Sequence, residues 1–254
     1  MRGRPERARR RRGSPTRVLR PFRLLLAVLA ILAAVGLYLL STWPALYPHT
    51  IDVEGNRVVS KDQIVERAHI NLARNMWLQN TRAMAARIEA IPYIDTARIA
   101  RRPPDTIAIR VTERVPFAFV DSNGARVTVD RTLRVLQNGA PPALAGTLPV
   151  LRVVLPALPA PGAGISSADV QTLAACAADL AAADVDARSL GFDRFGDVTV
   201  VLRNGVQVML GDRASVTQKI PLIEPILQVV DRGRRKVAAI DLRAITTPVV
   251  IYAK

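Results

Sequence analysis

The apolar residues of this chain form one long continuous run followed by many short periodic segments. Residues 24–40 contain no charged side chain, and residues 41–43 extend the run to about twenty positions. A helix of that length, at about 1.5 Å of rise per residue, crosses the ~30 Å hydrocarbon core of a bilayer. The pattern therefore predicts a transmembrane helix over residues 24–43.

Arginines crowd the segment that precedes this helix. Residues 1–23 hold ten Arg and one Glu, which account for nine of the fifteen net positive charges of the chain. Positive residues beside a first membrane helix keep that end in the cytoplasm. We therefore expect a single-pass protein of the plasma (inner) membrane, with a basic cytoplasmic arm over residues 1–23 and everything from Pro44 onward exported.

Two other interpretations of this N-terminal region are weaker. A cleaved secretory signal has an apolar stretch of about 7–15 residues and a small-x-small cleavage site, and neither fits here. A nucleic-acid-binding arm would need aromatic residues between the arginines for base stacking, and Phe22 at the membrane boundary is its one aromatic residue. Anionic lipid is the better ligand for the arm.

The first part of the exported chain mixes strand and helix patterns. Residues 50–54 alternate apolar and polar positions, as a half-buried strand does. Ser60 and Gln63 form a capping box at the start of a short helix. Apolar spacing predicts a second helix over about residues 80–90, and residues 93–113 predict two strands joined by a turn. The order indicates a three-stranded sheet with two helices on one face.

After Pro116 the pattern becomes mostly β. Asn123-Gly124 and Asn204-Gly205 each lie between β-rich runs, and Asn-Gly is a strong hairpin signal because both turn positions take positive φ. Helices are predicted over residues 167–183 and 215–230.

In the second of these helices, Pro221 and Pro225 are expected to interrupt or kink the chain. Two final strands, at residues 237–243 and 249–252, complete the predicted elements.

The predicted fold class is α+β, with an N-terminal transmembrane helix, a β-α-α-β-β module and a mostly antiparallel β-domain with flanking helices. The predicted segments are the arm (1–23), the membrane helix (24–43), the β-α-α-β-β module (47–115) and the β-domain (116–254).

Residue usage disfavours catalytic and metal chemistry. Cys176 is the sole cysteine, so no disulfide forms within the chain, and its place in a predicted helix favours a buried apolar role. His49 and His69 are the two histidines, too few for a zinc site built on several His or Cys ligands. Asp193 and Asp197 flank a Gly-containing loop and do not form a catalytic pair. We expect no catalytic residue, cofactor or metal.

Five short motifs follow the membrane segment in order: Ile51-Asp52-Val53-Glu54-Gly55-Asn56, Ile91-Pro92-Tyr93-Ile94, Arg101-Arg102-Pro103-Pro104-Asp105-Thr106, Val111-Thr112-Glu113-Arg114-Val115-Pro116 and Ile240-Asp241-Leu242-Arg243. Together they resemble the FtsQ/DivIB family of bacterial cell-division proteins over residues 20–254. The resemblance implies that the β-α-α-β-β module is a polypeptide-transport-associated (POTRA) domain.

The same resemblance implies a function by assembly and not by chemistry. It predicts a non-enzymatic scaffold at the division septum that links early and late division proteins. The implied partners are FtsB and FtsL, which are coiled-coil membrane proteins, together with other divisome proteins that build septal peptidoglycan. Nucleic acid and small-molecule substrates are not expected.

The final strand is the predicted partner-binding site. An exposed edge presents unpaired N–H and C=O groups to which a partner can add a strand, and we expect Arg243 to orient an acidic partner residue. The alternative is that Arg243 is a solvated surface residue and that residues 249–252 are an ordinary terminal strand. Many members of the family have an aromatic residue after the Asp-x-Arg pattern, where this chain has Ala244. The predicted binding residues are Arg243, Ala244, Ile245, Thr246, Val249, Val250 and Tyr252.

A second predicted contact lies in the POTRA module. Arg98, Arg101 and Arg102 form a basic cluster near its hairpin, suited to acidic partners or lipid headgroups, although a solvated face is the simpler interpretation.

Two other functions remain as alternatives. POTRA modules also occur in envelope secretion and transport machines, usually as arrays attached to a β-barrel, whereas this chain has one module. A cell-wall enzyme is disfavoured because no Ser-x-x-Lys occurs with the companion motifs of penicillin-binding proteins.

Overall fold

A computed structural model describes residues 19–232 and 236–253. Most of the predicted basic arm therefore lies outside the described residues. The first element, helix α1 (Leu19–Ser41), contains the segment Leu24–Ser41, which is long and apolar enough to cross a membrane.

The region after α1 forms the predicted β-α-α-β-β order. Its three strands make one sheet in the order β1-β3-β2. The bounds are β1 (Thr50–Glu54), α2 (Lys61–Ala68), α3 (Thr81–Glu89), β2 (Ile94–Arg102) and β3 (Thr106–Glu113).

The rest of the chain forms a nine-stranded sheet in the order β12-β11-β10-β9-β8-β7-β4-β5-β6. Five of its eight strand pairs are antiparallel and three are parallel. The strands are β4 (Pro116–Ser122), β5 (Ala125–Asp130), β6 (Val135–Asn138), β7 (Val150–Arg152), β8 (Ala187–Phe192), β9 (Val198–Leu202), β10 (Gln207–Gly211), β11 (Val237–Asp241) and β12 (Val249–Tyr252). The helices are α4 (Ala168–Ala182), α5 (Val216–Lys219) and α6 (Ile223–Arg232).

The large sheet and its helices share one apolar core. Leu151 on β7, Leu173 and Leu180 on α4, and Val200 on β9 are fully buried in it. Helix α4 connects the parallel neighbours β7 and β8, as a helix does in a crossover connection. The structure thus confirms the predicted fold class.

The two Asn-Gly hairpins differ in their turns. Asn123 and Gly124 both have positive φ, at 53° and 85°, as predicted for a two-residue turn. At the second hairpin only Gly205 has positive φ, so the expectation for Asn204 was wrong. The Gly205 N–H donates to the Leu202 carbonyl, and Asn204 Oδ1 accepts from the Val206 N–H. This longer turn needs a left-handed conformation only at its glycine.

The two prolines in the segment between β10 and β11 act differently. Pro221 lies in a short 3-10 segment, Ile220–Leu222, which separates α5 from α6. Pro225 lies in the first turn of α6, where a missing N–H costs no helical hydrogen bond. Only Pro221 therefore interrupts the helix.

Helix α2 begins with the predicted capping box. The Ser60 hydroxyl accepts from the Gln63 N–H at 3.2 Å, and Gln63 Oε1 accepts from the Ser60 N–H at 3.4 Å. The Glu113 carboxylate of β3 accepts from the three preceding backbone N–H groups, those of Arg57, Val58 and Val59. The start of α2 is therefore held by two sets of hydrogen bonds.

Replacement of Ser60 by Ala is expected to lower the free energy of unfolding by about 1 kcal/mol, because the Gln63 N–H loses its acceptor. Denaturant unfolding of the detergent-solubilised chain, followed by circular dichroism, measures this change. Ser167 is a matched control, since it occupies the N-cap of α4 without a side-chain capping hydrogen bond. An equal loss in Ser167→Ala would contradict the assignment.

The chain divides into two compact units. The first unit combines the residues described up to Asp52 with segments Ile70–Asn80 and Ala100–Ala108. The second unit comprises Val53–His69, Thr81–Ile99 and the chain from Ile109 onward.

Candidate partner-binding edge

Strand β12 is the terminal strand of the nine-stranded sheet. It pairs antiparallel with β11, with Val250 opposite Ile240 and Val249 opposite Asp241. Among residues 19–232 and 236–253, no strand pairs with its other side. An outward row of backbone donors and acceptors at such an edge is a template for another strand.

The hydrogen bonds of β12 show which backbone groups point outward. The Ala253 N–H donates to the carbonyl of Lys236, the residue before β11, at 2.8 Å. Since successive N–H groups of a strand alternate in direction, the Ile251 N–H points toward β11 and the Val250 N–H points away from it. Val250 is therefore placed to donate to an added strand.

The side chains of β12 are apolar and unusually exposed for their type. Val249, Ile251 and Tyr252 are 53%, 45% and 44% exposed, respectively. In the turn before the strand, Ile245 is 40% exposed. Exposed apolar residues on an edge strand form a surface that a partner segment would cover.

The turn between β11 and β12 contains the remaining predicted binding residues. The Thr247 N–H donates to the Ala244 carbonyl at 3.3 Å, and Thr246 lies within the same turn. Backbone pairing in the sheet starts at Val249. Ala244, Ile245 and Thr246 thus lie in the turn and not in the strand.

Arg243 has a partner within the chain. Its guanidinium contacts the Asp241 carboxylate, with the terminal nitrogen at 2.6 Å from Oδ2 and Nε at 3.0 Å from Oδ1. The hydrogen bond from Arg243 lowers the pKa of Asp241, and the same contact raises the pKa of Arg243. An acidic partner residue would share the half-exposed guanidinium with Asp241.

Two residues that the sequence analysis missed support this turn from beneath. Lys219 is only 3% exposed, and its Nζ donates to the carbonyls of Leu210 and Arg243. Gly211 has a φ of +79°, and a Cβ there would lie 3.2 Å from the Arg243 Cα. The backbone at Arg243 is therefore fixed by a buried ammonium group and by close packing against a glycine.

The three POTRA arginines do not have equivalent environments. Arg101 donates to the carbonyls of Met76 and Gln79 at 2.8 and 2.6 Å and stacks on the Trp77 ring. Its guanidinium is committed to contacts within the chain. Arg102, its neighbour in β2, lies on the opposite face of the strand and is 3.8 Å from the Asp52 carboxylate. Arg98 is exposed on the same strand.

A cleft of about 600 Å³ in the second unit is a further feature that the sequence analysis missed. At its side, Arg114 bridges Asp95 and Asp130, each at 2.8 Å. Burial tends to raise the pKa of Asp130, but hydrogen bonds from the side chains of Thr132 and Arg114 and from the backbone N–H groups of Thr132 and Arg134 together outweigh burial, so the pKa lies below its ordinary value. The cleft is thus lined by paired charges.

Acidification is expected to weaken this bridge. A lowered folded-state pKa means that the carboxylate of Asp130 contributes stability above the ordinary carboxyl pKa, and the contribution is lost as pH falls through the lowered value. At neutral pH, Asp130→Asn should lower the free energy of unfolding by about 1–3 kcal/mol. Denaturant unfolding at neutral and acidic pH should show a smaller acid loss in the variant. An unchanged acid loss would contradict the assignment.

The sole cysteine is a core residue. Cys176 on α4 is buried, and burial, with a smaller effect of Asp179, raises the pKa of its thiol to about 12. The thiolate, which is the reactive form, is therefore scarce at neutral pH.

Asp193 and Asp197 lie in the loop between β8 and β9. Asp193 Oδ1 accepts from the N–H groups of Phe195 and Asp197, which stabilises this loop.

Comparison with known proteins identifies both folded regions. Residues 48–114 match the family model of the FtsQ-type POTRA domain. The cell division protein FtsQ/DivIB, C-terminal, family matches residues 110–243, which is more than half of the chain. A helix long and apolar enough to cross a membrane, followed by an FtsQ-type POTRA domain and this C-terminal domain, defines a class of cell-division protein. The chain belongs to the FtsQ/DivIB family of cell division proteins.

Individual relatives agree with this assignment. Cell division protein FtsQ of Streptomyces collinus is 34% identical over 122 residues, which cover 47% of this chain and 46% of the relative. Cell division protein FtsQ of Mycobacteroides abscessus is 28% identical over 207 residues, covering 80% of this chain and 63% of the relative. The chain thus spans about half to two thirds of the length of these relatives.

One solved structure is also similar. The major extracytoplasmic domain of the cell division protein DivIB from Geobacillus stearothermophilus matches with a TM-score of 0.32 and 19% sequence identity. The match covers 48% of this chain and 97% of the DivIB domain.

Proposed function

We propose that this protein is a non-enzymatic scaffold of the divisome. It is anchored by α1 with its N-terminus in the cytoplasm, and its folded domains face the periplasm or cell exterior at the division septum. There it recruits FtsB and FtsL and so links early and late division proteins for septal peptidoglycan synthesis. Its membership of the FtsQ/DivIB family supports the role in cell division.

The observation that carries the proposal is the open edge of β12. A partner segment adds to this edge as a tenth strand and pairs with the outward backbone groups of residues such as Val250. The exposed side chains of Val249, Ile251 and Tyr252 then become covered. Backbone pairing gives affinity, and alternate side-chain contacts give specificity.

Arg243 supplies a charged contact beside this edge. Its backbone is held by Lys219 and its guanidinium by Asp241, so the side chain is pre-ordered before a partner arrives. An acidic residue of the partner binds the guanidinium together with Asp241. Ala244 follows Arg243 with only a methyl side chain.

Depletion of the protein in its host tests the proposed role. Filamentous cells without septa, together with a fluorescent fusion concentrated at midcell, are the expected result. Normal septation with a defect in protein export would contradict the proposal and would support the secretion scaffold. Peptidoglycan cleavage by the purified chain, abolished by a point substitution, would also contradict it.

A further inference from the structure

The segment between α2 and α3 exposes three large apolar side chains in the first unit. Leu72, Trp77 and Leu78 are 56%, 53% and 51% exposed, and Arg74 beside them is also exposed. We call residues 71–79 the tryptophan loop. Large apolar side chains grouped on one loop indicate a binding surface.

Hydrogen bonds within the chain hold the tryptophan loop in one conformation. Gln79 is 6% exposed, accepts from the Asn71 N–H, and donates to the carbonyls of Asn71 and Arg74. Arg101 braces the loop from β2 through the Met76 carbonyl and the Trp77 ring, 5.5 Å from the ring centre. The outward direction of Trp77 is therefore fixed before any ligand binds.

A buried asparagine ties the tryptophan loop to the end of α1. Asn75 is 4% exposed, and its Nδ2 donates to the carbonyls of Leu40 and Ser41 at 3.2 and 3.1 Å. These are the last carbonyls of the candidate membrane span Leu24–Ser41. The loop is therefore attached to the carboxyl end of the candidate span, two residues before Trp43, which is itself 58% exposed.

We propose that the tryptophan loop is a second membrane contact, which inserts Leu72, Trp77 and Leu78 into the interfacial layer of the bilayer that α1 spans. Tryptophan favours this layer because its ring is apolar and its N–H is polar. Arg74 is available to lipid phosphate groups. The lipid surface is the favoured occupant because the hydrogen bonds of Asn75 attach the loop to the carboxyl end of α1, the candidate membrane helix. The proposal depends on α1 spanning the bilayer and not on strand addition at β12.

Such a contact restricts the orientation of the first unit. A single membrane helix leaves the first unit free to tilt about the end of the helix. A helix together with an inserted loop gives two attachment points and so sets the angle of the first unit to the bilayer. The two tryptophans of the chain, Trp43 and Trp77, allow each anchor to be observed separately.

The full chain in lipid vesicles tests the proposal by tryptophan fluorescence. Trp43→Phe leaves Trp77 as the only tryptophan, and Trp77→Phe leaves Trp43 as a matched control for insertion of α1. With vesicles of phosphatidylcholine brominated at shallow chain positions, Trp77 should be blue-shifted and should lose fluorescence to an extent comparable with Trp43. Asn75→Ala should reduce the loss at Trp77 and leave that at Trp43 unchanged.

Two outcomes would overturn the proposal. One is quenching of Trp77 by aqueous acrylamide with no loss in brominated lipid, while Trp43 is quenched by the lipid. The other is protection of Trp77 only after a partner protein is added, which would make the loop a protein-docking site. Partner capture by the same variants, measured in parallel, shows separately whether the edge at β12 is functional.

Discussion

Val250→Pro is expected to weaken capture of the proposed partner strand strongly while leaving the protein folded. The Val250 N–H points away from β11, so proline removes no hydrogen bond within the sheet and is tolerated at such an edge position. Proline removes a donor to the added strand and places its ring against it. We expect a loss of about 2–3 kcal/mol, or about 30- to 150-fold in Kd for the proposed FtsB segment.

Binding of the partner segment to the detergent-solubilised chain, measured by fluorescence anisotropy, tests this expectation. Val250→Ala is the control, because it removes apolar surface but keeps the N–H. Ile251→Pro should behave differently, since its N–H points toward β11 and its loss should lower stability as well. Equal affinities of Val250→Pro and Val250→Ala would argue against strand addition at this edge.

Gly55→Ala is expected to destabilise the POTRA domain strongly, although it adds only one methyl group. Gly55 follows β1 with a φ of +90°, and a Cβ there would overlap the carbonyl oxygen of Val111 on β3. Alanine at position 55 would therefore force the backbone to shift, and it would also have to adopt a left-handed conformation. We expect the free energy of unfolding to fall by about 2–5 kcal/mol.

Gly124 provides a matched control for this substitution. Its φ of +85° is nearly the same, but a Cβ there meets nothing within 4 Å. Gly124→Ala should therefore cost about 1 kcal/mol from conformation alone. Circular dichroism during denaturant unfolding measures both variants, and similar losses for the two would show that close approach to Val111 is not the cause.

Elements with a strong local signal could be predicted from the sequence. The apolar run of α1, the capping box of Ser60 and the Asn123-Gly124 turn each determine their structure within a few residues. The order of elements in the POTRA domain follows because its helices and strands have clear periodicities. For these parts, tertiary packing agrees with local preference.

Elements that depend on distant pairing were missed. Strand β7 is three residues long, Val150–Arg152, and exists because it lies between the parallel neighbours β4 and β8. Strand β8 likewise lies between β7 and β9 in the sheet. No turn motif joins parallel neighbours, so a single sequence gives little sign of them.

The exposed terminal strand was predicted from the sequence, but the contacts around it were not. The exposed last strand was expected, whereas the support of Arg243 by Lys219 and Gly211 depends on how α5 and β10 pack. The pairing of Arg243 with Asp241 is close in sequence, two residues apart, and that spacing was the available signal. Likewise, Arg101 is prevented from joining a basic surface by carbonyls of a loop that precedes α3.

Disulfide mapping between β12 and its partner tests the central claim most directly. Cys176 is buried, so single cysteines at Val249, Val250, Ile251 and Tyr252 can be paired with a cysteine series in the partner segment. Strand addition predicts cross-links in a strand register, with the partner position moving by one residue for each step along β12. Absence of cross-links in a complex that still forms, or cross-links that follow no register, would contradict strand addition at this edge.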